Sequence, residues 1–123
     1  MANTFLLIGS LMGFLGVAAG AFGAHALRSR MSPEMLAVFE TGVRYQMYHA
    51  LALLITAAIV GRTGDARLLA LAGWSFITGV VLFSGSLYAL AFSGASALGA
   101  ITPLGGLALL LGWASLALFA AAR

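Results

Sequence analysis

Four long stretches of this sequence are apolar and almost free of charge, and they limit what the chain can fold into more than any other feature. A helix needs about 20 mainly apolar residues to cross a hydrocarbon core of roughly 30 Å. Of the 123 residues, 63% are hydrophobic and 7% are charged, whereas a soluble domain carries roughly 25% charged residues. The chain is therefore predicted to be an integral membrane protein.

The predicted spans cover residues of about 4–26, 43–60, 67–92 and 102–121, within a single transmembrane domain. Only short tracts separate them, and short connections place consecutive helices side by side in opposite directions. The predicted fold class is therefore all-α, an integral membrane four-helix bundle with up-down-up-down topology. Whether residues 93–101, which carry no charge, dip back into the membrane is left open.

Residues near the loops predict where three of the helices begin. The tract from Ser32 to Glu34 combines an N-cap residue, a proline and an acid suited to the positive end of a helix, so helix two should begin near residue 32. Its first half is polar and is expected at the membrane interface or inside the bundle. Thr102-Pro103 predicts a similar start for helix four, and Asp65 is placed to cap helix three.

The basic residues set limits on partners and suggest an orientation. The net charge is +3, but the arginines are scattered over the loops and the C-terminus, so no nucleic-acid partner is expected. The side of the membrane with both termini holds three arginines, and the opposite side holds two or three, depending on the depth of Arg44. The positive-inside rule thus favours cytoplasmic termini by a small margin. The chain has no cysteine, which excludes disulfides and thiolate metal sites.

Helix one carries a regular set of glycines on one face. In lipid, helices associate through close packing, and small residues at such spacing let another backbone approach. The predicted occupant of this face is another helix of the same chain, and the alternatives are a homodimer face or a narrow ligand channel. The predicted packing glycines are Gly9, Gly13, Gly16, Gly20 and Gly23.

Helix two carries a polar stripe, defined by Gly42, Tyr45, Gln46, His49 and Thr56, which fall on one side at 100° per residue. Polar side chains are costly against hydrocarbon, so this stripe should face the bundle interior or an aqueous cavity. Two interpretations stay open. The stripe either forms hydrogen bonds between helices or forms a site for a ligand, ion or proton.

Other polar residues have narrower interpretations. Glu40 and Arg44 lie on the opposite side of helix two, four residues apart in the order that favours an ion pair. His25 and His49 could share one interfacial layer, but two histidines are too few ligands for zinc or copper, so no metal and no cofactor are expected. On helix three, Ser84 and Tyr88 share a face.

Four motifs, taken in order, resemble a family of small membrane proteins known as domain of unknown function 423. They are Gly20–His25, then Thr41-Gly42 with Tyr45-Gln46 and Tyr48-His49, then Leu82–Tyr88, and finally Thr102–Gly106. The resemblance implies a four-helix protein of the bacterial inner membrane with no settled activity, and it supplies no catalytic residues. The candidate binding residues are His25, Tyr45, Gln46, His49, Ser84, Ser86, Tyr88 and Thr102.

Three functional classes follow from these residues. The first is the binding or passage of a small solute, ion or lipid along the polar stripe, with membrane lipid as a partner and a homo-oligomer as one way to enclose a pathway. The second is a structural or assembly subunit of a larger membrane complex. The third is an intramembrane enzyme, which is less favoured because no catalytic motif is present and only histidine could act as a base.

Overall fold

The computed structural model describes residues 1–123 and contains helices and short connections, without strands. The four long helices are α1 (Ala2–Phe22), α2 (Pro33–Thr63), α3 (Arg67–Ser93) and α4 (Thr102–Ala121). A π-helical turn, Gly23–Leu27, extends α1, and a 3₁₀ turn, Ser96–Ala100, precedes α4. With these turns included, all four are long and apolar enough to cross a membrane. The predicted all-α membrane fold is confirmed.

One of the three predicted helix caps is present and two are wrong. The Ser32 hydroxyl accepts a hydrogen bond from the Met35 N–H at 3.2 Å, as expected for the start of α2. Asp65 does not cap α3, whose N-cap is Ala66 without a side-chain hydrogen bond. Thr102 does not cap α4 either, because the preceding 3₁₀ turn already places Ile101 in a helical conformation.

Contacts between neighbouring helices give their relative direction. Near the start of α1, Gly9 faces Leu54 in the second half of α2, whereas Gly23, at the other end, faces Phe39 in its first half. The residue numbers thus rise on one helix as they fall on the other, so α1 and α2 are antiparallel. On α2, Phe39 packs against Phe92 of α3, and His49 packs against Phe76, so these two helices are also antiparallel. Gly105 and Gly112 of α4 face Phe83 and Phe76 of α3, which is again the opposed order.

The helices form an inner pair and an outer pair. Helices α2 and α3 pack against each other, α1 packs on α2, and α4 packs on α3. The main apolar cluster contains Ala52, Ala72, Phe76, Val80 and Leu109. The outer helices α1 and α4 expose many large apolar side chains, and an apolar surface of this kind suits contact with hydrocarbon.

The start of α4 lies deeper in the bundle than the end of α3. Thr102, its first residue, is hydrogen-bonded to Ser86. Helix α3 continues from there to Ser93, which is roughly 10 Å farther along its axis at 1.5 Å per residue. The connection after α3 therefore returns alongside the last two turns of that helix before α4 begins.

Candidate functional site

Gln46 joins three helices at the centre of the bundle. Its side-chain amide donates to the Met12 carbonyl of α1 at 2.8 Å, and its oxygen accepts from the Tyr88 hydroxyl of α3 at 2.6 Å. The residue is only 7% exposed. A buried amide is costly unless it is hydrogen-bonded, so these partners stabilise both the side chain and the relative positions of α1, α2 and α3.

Gly42 brings the α3 side chains close to α2. A Cβ atom at this position would lie 2.7 Å from Cε1 of Tyr88, so the missing side chain makes room for the tyrosine ring. On the same surface, the buried Ser84 hydroxyl donates to the Gly42 carbonyl at 2.7 Å. Two direct hydrogen bonds, from Tyr88 and from Ser84, therefore hold α2 against α3.

Ser86 and Thr102 link α3 to α4. Their hydroxyl oxygens are 2.6 Å apart, and the Ser86 hydroxyl also donates to the Phe83 carbonyl at 2.9 Å. A hydroxyl has one proton, so Thr102 is the donor toward Ser86. This bond uses the side chain of Thr102, which the sequence predicts as the cap of helix four.

His49 links α2 to α4 and uses both ring nitrogens. The indole N–H of Trp113 lies 3.1 Å from Nε2, and Nδ1 lies 2.6 Å from the Tyr45 carbonyl. An indole nitrogen can only donate, so Nε2 accepts, and Nδ1 carries the proton that is donated to the carbonyl. The contacts thus select the neutral ring with its proton on Nδ1. At 4% exposure, His49 has no free nitrogen for a substrate.

The buried polar side chains of the stripe are therefore satisfied from within the chain. Thr56, which is fully buried, donates to the Ala52 carbonyl at 2.8 Å. No buried side-chain nitrogen or oxygen lacks a hydrogen-bond partner. Tyr45 differs from the other stripe residues because it is 37% exposed, on the side of α2 that faces α4.

A groove lies between α2 and α4, and a residue of α3 forms part of its wall. We call it the α2–α4 groove; its volume is about 530 Å³, within the range of roughly 300–1,000 Å³ that is usual for small-molecule sites. Tyr45, Leu107, Leu110 and Trp113 are themselves exposed, so the groove opens on the outer surface of the bundle. Its lining consists of Tyr45, His49, Phe83, Pro103, Gly106, Leu107, Leu109, Leu110 and Trp113.

Aromatic rings form much of the groove wall. The Tyr45 ring packs on Phe83 with centroids 4.5 Å apart, and Trp113 packs on Phe76 at 5.2 Å. Sequence reasoning identified Tyr45 and His49 but missed the α4 side of the groove. The available signals there were the Pro103–Gly106 part of the last motif and one tryptophan among leucines.

The structure does not bring His25 to the other candidates. It lies exposed in the π-helical turn after α1. The neighbouring Gly23 faces Phe39, which precedes His49 on α2 by ten residues, or roughly 15 Å along the axis. The predicted shared layer of the two histidines is therefore not formed. No group of three or more histidine, aspartate and glutamate side chains is placed to hold a metal ion.

The glycine face of α1 is mostly filled by α2. Gly9, Gly16, Gly20 and Gly23 each meet a side chain of α2, whereas Gly13 has no such neighbour within 4 Å. Because the face is occupied inside the chain, a homodimer would have to use another surface. The predicted ion-pair partners on α2, Glu40 and Arg44, are both exposed, and their pairing stays a prediction.

Comparison with known proteins gives a consistent set of relatives. A family model described as "Protein of unknown function (DUF423)" matches residues 19–106, which contain all four motifs. A UPF0382 membrane protein of Bacillus subtilis is 44% identical over 111 residues, 90% of either chain. One from Staphylococcus haemolyticus is 47% identical over 109 residues, 89% of this chain and 88% of its own. One from Haemophilus influenzae is 43% identical over 117 residues, 95% and 93% of the two chains. No solved structure matches.

Proposed function

The chain belongs to the membrane-protein family of unknown function DUF423, and we propose that it binds an apolar, lipid-like molecule in the α2–α4 groove. The observation that carries this proposal is the groove itself, a cavity of about 530 Å³ with a largely apolar and aromatic wall. Because it opens on the outer surface of the bundle, a ligand would enter from the bilayer. The proposal places the protein in the bacterial inner membrane with both termini in the cytoplasm.

The arrangement favours an apolar ligand over an ion or a polar solute. Passage of an ion requires a row of polar groups or a water-filled path through the membrane. The polar groups of Gln46, Ser84 and Thr56 instead bond to other parts of the chain and do not line the groove. Of the stripe, only Tyr45 and His49 reach the groove wall, and the remaining polar groups hold the helices together instead of forming a pathway.

Selectivity in such a groove has to come from shape and from a few polar contacts. A ligand that leaves surrounding lipid gains little from apolar burial, because lipid tails are as apolar as leucine. The aromatic wall can stack on a flat or unsaturated group. Tyr45 offers a phenolic hydroxyl at the rim, and the hydrogen bond between His49 and Trp113 fixes the wall. These contacts would orient the ligand.

The second candidate is a structural or assembly subunit. Its support is that the hydrogen bonds of the polar stripe are all internal, as expected if the stripe only sets the positions of the helices. A partner protein or a second copy would then contact the apolar outer surface of α1, where Leu7, Leu11 and Phe14 are exposed. An intramembrane enzyme is disfavoured, because both nitrogens of His49 are engaged.

Two glycines provide a matched test of ligand binding. A Cβ atom at Gly106 would meet Phe83 at 3.9 Å, an ordinary contact, so Gly106→Leu should fold and fill part of the groove. Gly85 has no such neighbour within 4 Å and does not line the groove, so Gly85→Leu is the control. The readout is native mass spectrometry of protein released from nanodiscs made with a bacterial lipid extract.

Wild type and Gly85→Leu should retain a discrete bound species that Gly106→Leu loses. The proposal would be contradicted if every species bound to wild type were bound equally by all three proteins. If none of them retains a ligand, and wild type instead emerges with a stoichiometric protein partner, the assembly function is supported.

A further inference from the structure

A second, more polar cavity lies where α2 and α4 end, on the side of the bundle that holds both termini. Its volume is about 330 Å³, and its lining consists of Ile59, Arg62, Thr63 and Arg123. It shares no residue with the α2–α4 groove. The Arg123 guanidinium lies 5.6 Å from the centroid of the Phe119 ring, a cation–π contact that holds this side chain near the end of α4.

The side chains that line this cavity carry an excess of positive charge. Two of its four lining residues are arginines, and no aspartate or glutamate side chain lines it. The chain has three acidic residues; Glu34 and Glu40 lie in the first half of α2, far from its end, and Asp65 lines a separate cavity with Arg67. The Thr63 hydroxyl already donates to the Ile59 carbonyl at 2.9 Å. The guanidinium groups are therefore the donors that remain for a ligand.

We propose that this cavity binds the phosphate headgroup of an anionic phospholipid. Guanidinium groups form paired, charge-assisted hydrogen bonds with phosphate oxygens. Basic pockets between the ends of transmembrane helices suit the headgroups of anionic lipids. The apolar side chain of Ile59 lines the cavity beside the arginines, and the Phe119 ring contacts Arg123, which favours a lipid over a free anion. The site is additional to the proposed groove ligand and does not depend on it.

Single arginine variants test the site against a control on the same membrane surface. Arg62→Gln and Arg123→Gln remove a donor from the cavity, and Arg67→Gln removes an equal charge nearby without changing its lining. The proteins are placed in nanodiscs of mixed phosphatidylglycerol and phosphatidylcholine, and native mass spectrometry counts the lipids that each retains. Wild type should retain phosphatidylglycerol in preference, and each cavity variant should lower that preference about fivefold. Arg67→Gln should stay near wild type.

Three outcomes would overturn the proposal. An equal loss in Arg67→Gln would mean that the general surface charge attracts the lipid. No preference for phosphatidylglycerol in wild type would mean that the cavity does not select anionic headgroups. Displacement of the retained lipid by excess inorganic phosphate would identify a site for free phosphate. Gly106→Leu should keep the lipid preference, so failure of this site and failure of the groove ligand can be told apart.

Discussion

In a soluble protein the buried helices are the more apolar ones, whereas in this bundle the inner helices α2 and α3 are less apolar than the outer helices α1 and α4. Within an apolar stretch of 18 residues in each helix, 44% of the residues are buried in α2 and in α3, against 17% in α1 and 22% in the span containing α4. Lipid can solvate apolar side chains as well as the protein interior can, so there is little gain in burying them. Polar groups, by contrast, need partners that lipid cannot supply. The interior is therefore where the polar residues and the closest backbone contacts are found.

Close backbone contact between an inner and an outer helix should be the most costly feature to disturb. A Cβ atom at Gly105 would overlap the backbone of Phe83, which cannot rotate away, whereas one at Gly106 would make an ordinary contact. Gly105→Ala should lower the free energy of unfolding by about 3 kcal/mol. Gly106→Ala should leave it unchanged within about 1 kcal/mol, since alanine also favours the helix. Equilibrium unfolding in detergent micelles measures both, and equal losses would contradict the packing of α3 on α4.

A smaller effect is expected from the polar contacts of the inner pair. Gln46→Leu removes two hydrogen bonds and leaves the Tyr88 hydroxyl without its partner, so it should cost about 1–2 kcal/mol. A double-mutant cycle with Tyr88→Phe isolates their direct coupling, which should be about 0.6 kcal/mol, as is typical within membranes. A coupling of zero in the cycle would show that the two side chains do not bond.

The residues behind these predictions also show what a sequence can and cannot specify. Gln46 and Gly42 could be assigned to the interior from the sequence. Lipid offers no hydrogen-bond partner for a polar side chain, and a residue without a side chain favours close packing of another helix. Leu107 and Trp113 could not be assigned to a groove, because apolar residues on a membrane helix are equally suited to lipid and to protein.

Contacts between helices are the other feature that the sequence does not specify. The position of a residue along its own helix follows from the sequence, but the relative height of two helices depends on packing. Sequence position alone therefore predicts a shared layer for His25 and His49, although the register of α1 against α2 separates them. Local sequence likewise predicts Thr102 as a cap, because it does not identify the partner Ser86 on another helix.

Substitutions on the outward side of α2 should change stability least. Glu40 and Arg44 are both exposed there, and an ion pair one turn apart on a helix contributes about 0.2–0.5 kcal/mol. Glu40→Gln should change the free energy of unfolding by no more than that, measured by the same equilibrium unfolding. A loss as large as that of Gln46→Leu would mean that this side of α2 also makes stabilising interior contacts, and the distinction between the two sides would fail.

Nitrogen NMR of His49 can show whether the buried polar side chains of the α2 stripe are satisfied by contacts inside the chain. The chain has two histidines, so His25→Gln leaves a single labelled ring for unambiguous assignment. The His49 ring should be neutral and protonated on Nδ1, with an Nε2 signal that shifts when Trp113 is replaced by phenylalanine. A ring protonated on Nε2, or an Nε2 signal that does not respond to Trp113→Phe, would contradict it.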